Sequence, residues 1–509
     1  MPDLLRPYLS LPYIVLLLIA LRILYSQGLK LYKNRRISQY GARAPIRTTY
    51  LPFGLDMLYT AIKHMLADKN YEQWLKMFGT YGNGGYTVEA SLGERVILTA
   101  EPDNVKAILA TQFKDFGKGE KFRKEWHPFL GNGIFTTDGE LWHSSRQLLR
   151  PQFIKDRISD LAIFEEHVQI LMNKLGKDGD IDMLDYLFRY TLDAATHFLL
   201  GKSVGSQTNP QTEFADAFYQ AQRIQSIIAR MGPLNWMLPR RYMGYYSAIN
   251  SVNNFVEQYI DQALSLSQAE LEKKTNHDEG YTFLHAIASY TRDRTVLRDQ
   301  LVSVLLAGRD TTACMLTWAI YELSKNPEIM TKLRQEIMNQ VGPERAPTYQ
   351  DLKEMKYLSH VLNETLRLYP AVPFNIRFAL ADTTLPTGGG PDGRQPIGIL
   401  KGTAIGYSTL VMQRRADLYP PPGSGFPDIT KFVPERWDGW TPKSWTYVPF
   451  NGGPRICIGQ QFALTEMGYT LVRLFQRFRT VENRMGGLDA GMHMDIVLQP
   501  SNQVRVAFR

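Results

Sequence analysis

Apolar residues recur along most of this chain at intervals of three and four, the spacing of one face of an α-helix. Phe164, Val168, Leu171 and Leu175 keep that register in a helix predicted over 160–175; Gly176 to Asp180 breaks it, and a second helix runs to about Leu200. Further helices are predicted over 214–230 and over 301–325, the latter long and apolar. Ala463, Met467, Leu471, Leu474 and Phe478 repeat the pattern near the C-terminus. Strand-like runs are short: Tyr86 to Ser91 and Arg95 to Thr99, joined at Leu92-Gly93 after the glycine-rich turn Gly82 to Gly85. Pro102 opens a helix. Residues 114–135 have little periodicity and many glycines and aromatics, which predicts a long loop. Gln268 to Gly280 is polar and charged and is expected to be a mobile loop. Pro233 to Pro239 interrupts a helix and presents Leu234, Trp236, Met237 and Leu238.

The first apolar run has another character. Pro7 to Leu21 is uncharged, and Ile23 to Tyr25 extends it past Arg22. That is short of the roughly 18 to 20 apolar residues of a clean span, but an arginine can snorkel to the interface. No small-residue cleavage site follows, and Lys30, Lys33, Arg35 and Arg36 come directly after. The expectation is an uncleaved single-pass anchor with its basic flank over 1–39, and a catalytic domain over 40–509 on the cytosolic side. A buried helix is the alternative.

Composition narrows the class. With 44% hydrophobic and 12% aromatic residues among 509, the chain can bury a large core, and wholesale disorder is excluded. Two cysteines exclude a disulfide framework. The net charge of +8 is the balance of 58 basic and 50 acidic residues. This mild excess suits an anionic membrane surface or an acidic protein partner such as an electron donor. No nucleic-acid module is visible.

The chemistry concentrates in FNGGPRICIG, Phe450 to Gly459. Cys457 precedes a predicted helix start, where unpaired backbone N–H groups and the positive end of the helix dipole favour a thiolate. Gly452, Gly453 and Gly459 let the backbone pass close to something flat, and Arg455 places a cation two residues from the sulfur. A haem needs a thiolate for iron and a cation for a propionate; a buried core cysteine is the alternative for Cys457 alone. Trp142 and Arg146 stand at i, i+4, where an indole N–H and a guanidinium can hold one carboxylate, or can simply lie on the surface. In AGRDTT, Ala307 to Thr312, Gly308 loosens the long helix and Thr311 can turn its hydroxyl onto the Ala307 carbonyl, opening the ladder. Asp310 and Thr311 then supply an acid and a hydroxyl for proton delivery; a polar cluster inside a core helix is the other reading. Glu364 and Arg367, among Leu362, Leu366 and Leu368, are expected to be buried and mutually satisfied. Gly388, Gly390 and Gly393 satisfy GxGxxG, but Pro391 and Asp392 make that stretch a turn with no helix after it, which argues against dinucleotide binding.

Phe450, Gly453, Arg455, Cys457 and Gly459 match the pattern FxxGxRxCxG. With WxxxR, AGRDTT and ExxR ahead of them in order, the chain from about Tyr40 to Arg509 resembles the cytochrome P-450 family. GKGEKF, DGELW, LRPQF, AGRDTT, LRLYPAVPFNIR and FNGGPRICIGQQFAL are similar, more narrowly, to its fungal alkane and fatty-acid hydroxylase branch. The resemblance implies a mainly α fold with a small β-rich subdomain and a haem b with Cys457 as axial thiolate, hence metal ligand. Ala307 stands where animal fatty-acid ω-hydroxylases often have a Glu that can esterify haem, so a non-covalent haem is implied. Trp142, Arg146, Arg377, Phe450, Arg455 and Gly459 become cofactor-binding residues; for Arg377, a solvated arginine ending an ordinary strand is the other reading. Asp310 and Thr311 become catalytic. Arg436 of FVPERW joins Glu364 and Arg367 in a structural ion network, with Trp437 expected to pack like the more usual Phe. Ile134, Phe135, Ala307, Val372 and Phe374 line the implied substrate pocket.

The implied reaction inserts one oxygen atom of O2 into a C–H bond of a small lipophilic substrate. Terminal hydroxylation of a long-chain fatty acid or alkane leads. Tailoring of a polyketide or terpenoid intermediate is second. A haem-thiolate isomerase or dehydratase that does not use O2 is third, disfavoured because Asp310 and Thr311 are both present. The implied electron source is NADPH through a separate NADPH-cytochrome P-450 reductase, with cytochrome b5 as a further donor, at the endoplasmic reticulum membrane. Microsomal members usually follow the anchor with a proline-rich hinge; here only Ala44-Pro45 and Leu51-Pro52 stand in that place.

Overall fold

The computed structural model describes residues 11–51, 54–91, 93–154, 161–210, 212–276 and 282–509. Of the expectations above, Pro7 to Ser10, Pro52, Leu92, Asp160 and 277–280 lie outside these. Helix α1, Leu11–Tyr40, is unbroken. Its stretch Pro12–Tyr40, whose most apolar 18-residue window has mean hydropathy 1.8, is long and apolar enough to cross a membrane. The basic flank lies within this helix, and the last turn is gripped by the rest of the chain: Ile37 is buried and Arg36 pairs with Asp382. Just beyond it, Ala42 N–H donates to Pro396 O at 2.8 Å and Gly398 N–H to Ala42 O at 3.0 Å. Position 398 must be glycine, because a Cβ there would lie 2.1 Å from Ile37 O.

Strands β1 (Thr87–Ser91) and β2 (Arg95–Thr99) form where the two short runs were predicted and pair antiparallel, Val88 opposite Leu98. The loop expected over 114–135 is instead β3 (Phe116–Gly117) and helix α2 (Gly119–Leu130). Trp126, Phe129 and Leu130 form its buried face, a period masked in the sequence by charged neighbours and by Pro128 in the last turn. Helix α3 (Gly139–Leu149) carries Trp142 and Arg146. Helix α4 (Ala162–Asp178) runs through Gly176, and α5 (Met183–Leu200), α6 (Glu213–Met231) and α7 (Tyr245–Ser265) follow. The expected mobile loop forms α8 (Gln268–Asn276) over its described part. Leu271 is fully buried there, and Glu270 accepts from Ser267 N–H and Oγ at 2.7 Å, which starts the helix.

Helix α9 (Arg294–Lys325) is 32 residues long and begins where Asp293 accepts from Thr295 N–H at 2.8 Å. It is buried on nearly all sides, the mark of a central core helix. Helix α10 (Lys356–Leu368) precedes strands β4 (Asn375–Ala379), β5 (Thr383–Gly389), β6 (Gln395–Ile399) and β7 (Ala404–Tyr407), and α11 (Gln460–Arg477) follows the cysteine. The larger sheet has the order β1-β2-β7-β4-β3, with β2 and β7 parallel and Arg377 of β4 opposite Ile405 of β7. The GxGxxG run turns the β5–β6 hairpin. Helix α9 packs against α5, α7, α10 and α11, so the AGRDTT segment and the cysteine loop ahead of α11 are set by one core.

Candidate active site

The cysteine loop is closed by its own backbone. Cys457 N–H donates to Phe450 O at 2.9 Å and Ile456 N–H to Gly453 O at 3.0 Å. Gly453 has φ 61°, and a Cβ there would fall 1.9 Å from Leu109 O, so this glycine is required. Cys457 is surrounded by protein yet accessible, and α11 begins three residues on. Burial pushes its thiol pKa up, against a Gly459 N–H bond and the Arg146 cation. The expected bias toward thiolate is thus outweighed in the free chain; a coordinated metal ion would deprotonate the sulfur.

Cations gather beside this loop. Arg455 lies 4.6 Å over the Trp142 ring and donates from Nη2 to Thr137 O at 2.9 Å and Asp138 Oδ1 at 2.6 Å. Its Nε is buried without a partner. Burial and Arg377 bring its pKa down to about 10, with Asp138 and Tyr407 opposing. Arg377 is buried and donates from Nη1 to Asn375 Oδ1 at 2.9 Å and to Ile376 O at 2.8 Å. Lys118 joins them, with Nζ 3.4 Å from Asn375 Oδ1. Burial, Arg377 and Arg455 hold it well below the ordinary lysine value, with Asp138 opposing. Arg146 donates to Ile456 O at 3.0 Å, tying α3 to the cysteine loop. Arg455 thus covers the Trp142 indole, and Arg146 reaches a carbonyl of the cysteine loop. Asp138 accepts from Lys118 N–H at 2.9 Å and Gly119 N–H at 2.7 Å. Among the described residues it is the one carboxylate paired within this group of four cations, and the surplus of positive charge calls for an anion.

On α9, Thr311 Oγ1 donates to Ala307 O at 2.6 Å, as expected. The helix nonetheless stays continuous, so its ladder is not opened. Asp310 is buried; its Oδ1 accepts from Arg309 Nη1 at 3.0 Å and its Oδ2 from Gln222 Nε2 of α6 at 2.6 Å. Burial raises its pKa against those two partners. Phe135, Val372 and Phe374 keep 37%, 37% and 40% of their surface exposed, while Ile134 and Ala307 are half-buried. The turn bearing Ile134 and Phe135 is fixed to α9: Asn132 N–H donates to Asp299 Oδ2 at 2.7 Å, and a Cβ on Gly133 would lie 2.2 Å from Ser303 Oγ.

The ExxR pair is buried as expected, both side chains at 0% exposure. Glu364 accepts from Arg367 Nε at 2.8 Å and Nη2 at 2.9 Å, from Arg436 Nε at 2.8 Å, from Val433 N–H at 3.0 Å and from Trp437 Nε1 at 3.0 Å. Trp437 thus contributes a hydrogen bond that Phe could not. The guanidiniums also donate to the carbonyls of Ile429, at 2.8 Å from Arg367, and Asp428, at 2.8 Å from Arg436. The profile of the Cytochrome P450 family matches residues 57–507. The chain belongs to the cytochrome P450 family.

This P450 is 48% identical over 513 residues to cytochrome P450 monooxygenase pvhE of Talaromyces variabilis, an alignment covering 96% of this chain and 94% of the relative. It is 41% identical over 485 residues to cytochrome P450 monooxygenase g430 of Fusarium sp, covering 91% and 83%. It is 44% identical over 411 residues to cytochrome P450 52A1 of Candida tropicalis, covering 76% and 73%. As a member of a haem-thiolate monooxygenase family, it is an oxidoreductase. Lys118, Asp138, Gln222 and Glu466 escaped the sequence reading of this P450. Glu466 on α11 is buried, and burial pushes its pKa up to about 8, the Thr312 hydroxyl opposing. Its one signal is a lone carboxylate inside the apolar face from Ala463 to Leu474.

Proposed function

We propose that this P450 is a membrane-anchored monooxygenase that hydroxylates a long-chain fatty acid or alkane at a terminal carbon. The observation that carries this reading is the resemblance of GKGEKF, DGELW, LRPQF and LRLYPAVPFNIR to the fungal alkane and fatty-acid hydroxylase branch.

The residues present fit a haem. Cys457 offers an accessible thiol surrounded by protein. Lys118, Arg146, Arg377 and Arg455 outweigh Asp138, and Arg455 Nε is a buried donor without a partner; such a set suits propionates. Trp142, Phe450 and Gly459 complete the cradle, and Ala307, which has no carboxyl, leaves the haem non-covalent. When bound, the haem supplies electron acceptance and oxygen activation. The chain does the rest. Ile134, Phe135, Ala307, Val372 and Phe374 bind an alkyl chain and exclude water. Asp310, held by Arg309 and Gln222, and Thr311, whose hydroxyl rests on Ala307 O, supply the acid and the hydroxyl for proton delivery. Glu364, Arg367 and Arg436 keep the fold around the loop and touch no reacting atom.

Residues 1–39 act as the single-pass anchor in the endoplasmic reticulum membrane, and Lys30, Lys33, Arg35 and Arg36 keep the domain cytosolic. Electrons come from NADPH through NADPH-cytochrome P-450 reductase, with cytochrome b5 as a further donor. Arg146 and the exposed Arg150 make the surface beside Cys457 basic, which suits an acidic flavoprotein. A second reading keeps the same chemistry and takes a polyketide or terpenoid intermediate as the substrate. Reconstitution in vesicles with the reductase and NADPH, and mass spectrometry on a series of fatty acids and alkanes, separates the two. Terminal alcohols support the first reading. Turnover of only cyclic polyketide or terpenoid substrates supports the second, and a haem-loaded enzyme that consumes no oxygen with any of them removes both.

A further inference from the structure

Away from the cysteine loop, Glu166 and His167 of α4 face His197 of α5, and their ligand atoms all lie within 4.8 Å of one another. His167 Nε2 is 3.1 Å from His197 Nδ1, and Glu166 Oε2 is 3.8 Å from the same Nδ1. We propose that Glu166, His167 and His197 bind one divalent first-row transition-metal ion of the zinc class and so bridge α4 to α5.

The spacing fits such an ion. Two imidazole nitrogens bound at about 2.0–2.1 Å lie roughly 3.0 Å apart in right-angle coordination and roughly 3.4 Å apart in a tetrahedron, and 3.1 Å falls between. The carboxylate closes by a shift of roughly half an ångström on a flexible side chain. Two nitrogen donors disfavour magnesium and calcium, which take oxygen ligands. His167 is 1% exposed, and its ring is held with Nε2 toward His197 Nδ1. The outer side is open, with 25% of the His197 side chain and 59% of the Glu166 side chain exposed, so an ion can reach the site and keep water ligands.

Neighbouring acids are already committed. Asp193 accepts from Ser206 N–H at 2.7 Å, Ser206 Oγ at 2.9 Å and Gln207 N–H at 2.9 Å. Glu165 pairs with Arg473 at 2.9 Å. Glu166 forms no other ion pair among the described residues, and it is the carboxylate left to complete the set. Helix α5 packs on α9, so an ion here would stiffen a helix pair behind the AGRDTT segment without touching it.

The test uses the full-length, haem-loaded, tag-free chain stripped of loosely held metal. Calorimetric titration with Zn2+ gives stoichiometry and affinity, and EPR with one equivalent of Cu2+ counts nitrogen ligands through their superhyperfine splitting. One Zn2+ per chain and two nitrogens on copper are expected. His197→Gln should lose at least about tenfold in affinity and one nitrogen. Glu166→Gln should bind more weakly with both nitrogens kept, and neither variant should alter the haem spectrum. The proposal is overturned by a wild type that binds no Zn2+ at millimolar concentration, by His197→Gln binding as tightly as wild type, or by fewer than two nitrogens on copper. The pair would then be a proton-sharing hydrogen bond only.

Discussion

Glu364→Gln keeps the shape of the residue at the centre of the buried ion network and removes its charge. Oε2 accepts from Arg367 Nε and Trp437 Nε1, and Oε1 from Arg367 Nη2, Arg436 Nε and Val433 N–H. Whichever oxygen becomes the amide nitrogen, at least two donors lose their acceptor. At about 1.5–3 kcal/mol for each bond to a charged group, the loss is about 3–6 kcal/mol. Leaving a buried guanidinium without its counter-ion gives a similar 3–5 kcal/mol, roughly. Both are large against the ~5–15 kcal/mol that holds a folded protein together. Trp437→Phe removes one donor and keeps the packing, so it should cost about 1.5–2 kcal/mol. Urea unfolding followed by circular dichroism should order the midpoints as wild type, Trp437→Phe, Glu364→Gln. A Glu364→Gln midpoint equal to wild type, or equal to that of Trp437→Phe, refutes the reasoning.

Other perturbations probe the loop, the cation group and α11. Gly453→Ala, at φ 61° with its Cβ 1.9 Å from Leu109 O, should displace the cysteine loop and abolish haem incorporation, read as the ratio of Soret to protein absorbance; an unchanged ratio counts against the packing described. Lys118→Met should stabilise the haem-free protein, because a costly buried cation is removed, and should speed haem loss to an acceptor apoprotein by roughly tenfold or more; unchanged haem loss removes Lys118 from the site. Glu466 has a folded-state pKa of about 8, above the ordinary carboxyl value, so the folded state holds its proton more tightly than the unfolded state. Its contribution is full at low pH and is lost as pH rises between about 4.5 and 8, with a slope of up to about 1.4 kcal/mol per pH unit. Glu466→Gln should therefore flatten the decline of thermal stability across that window, and parallel curves for wild type and variant contradict the assignment.

What was legible in the sequence was local. The Cys457 loop, the Thr311 bond to Ala307 and the Glu364–Arg367 pair each involve residues a few positions apart, so spacing alone gives the geometry. Arg377 and Arg455 were named through the family resemblance, but Lys118 and Asp138 beside them were not, because three distant segments meet there and no single window shows their charges together. Helix α2 was hidden by Pro128 and by the charges that separate its buried aromatics. The hold on the end of α1 depends on Gly398 lying under Ile37, a contact between opposite parts of the chain. Trp437 looked interchangeable with Phe because its indole N–H matters only once Glu364 is beside it.

That Cys457 binds haem iron through sulfur is tested most directly by the reduced, carbon monoxide-bound difference spectrum of the full-length protein beside Cys457→Ser. The red-shifted Soret band that gives the family its name should be present in wild type and absent from a folded, haem-containing Cys457→Ser. A haem-loaded wild type without that band, or a Cys457→Ser variant that keeps it, contradicts thiolate ligation at this position.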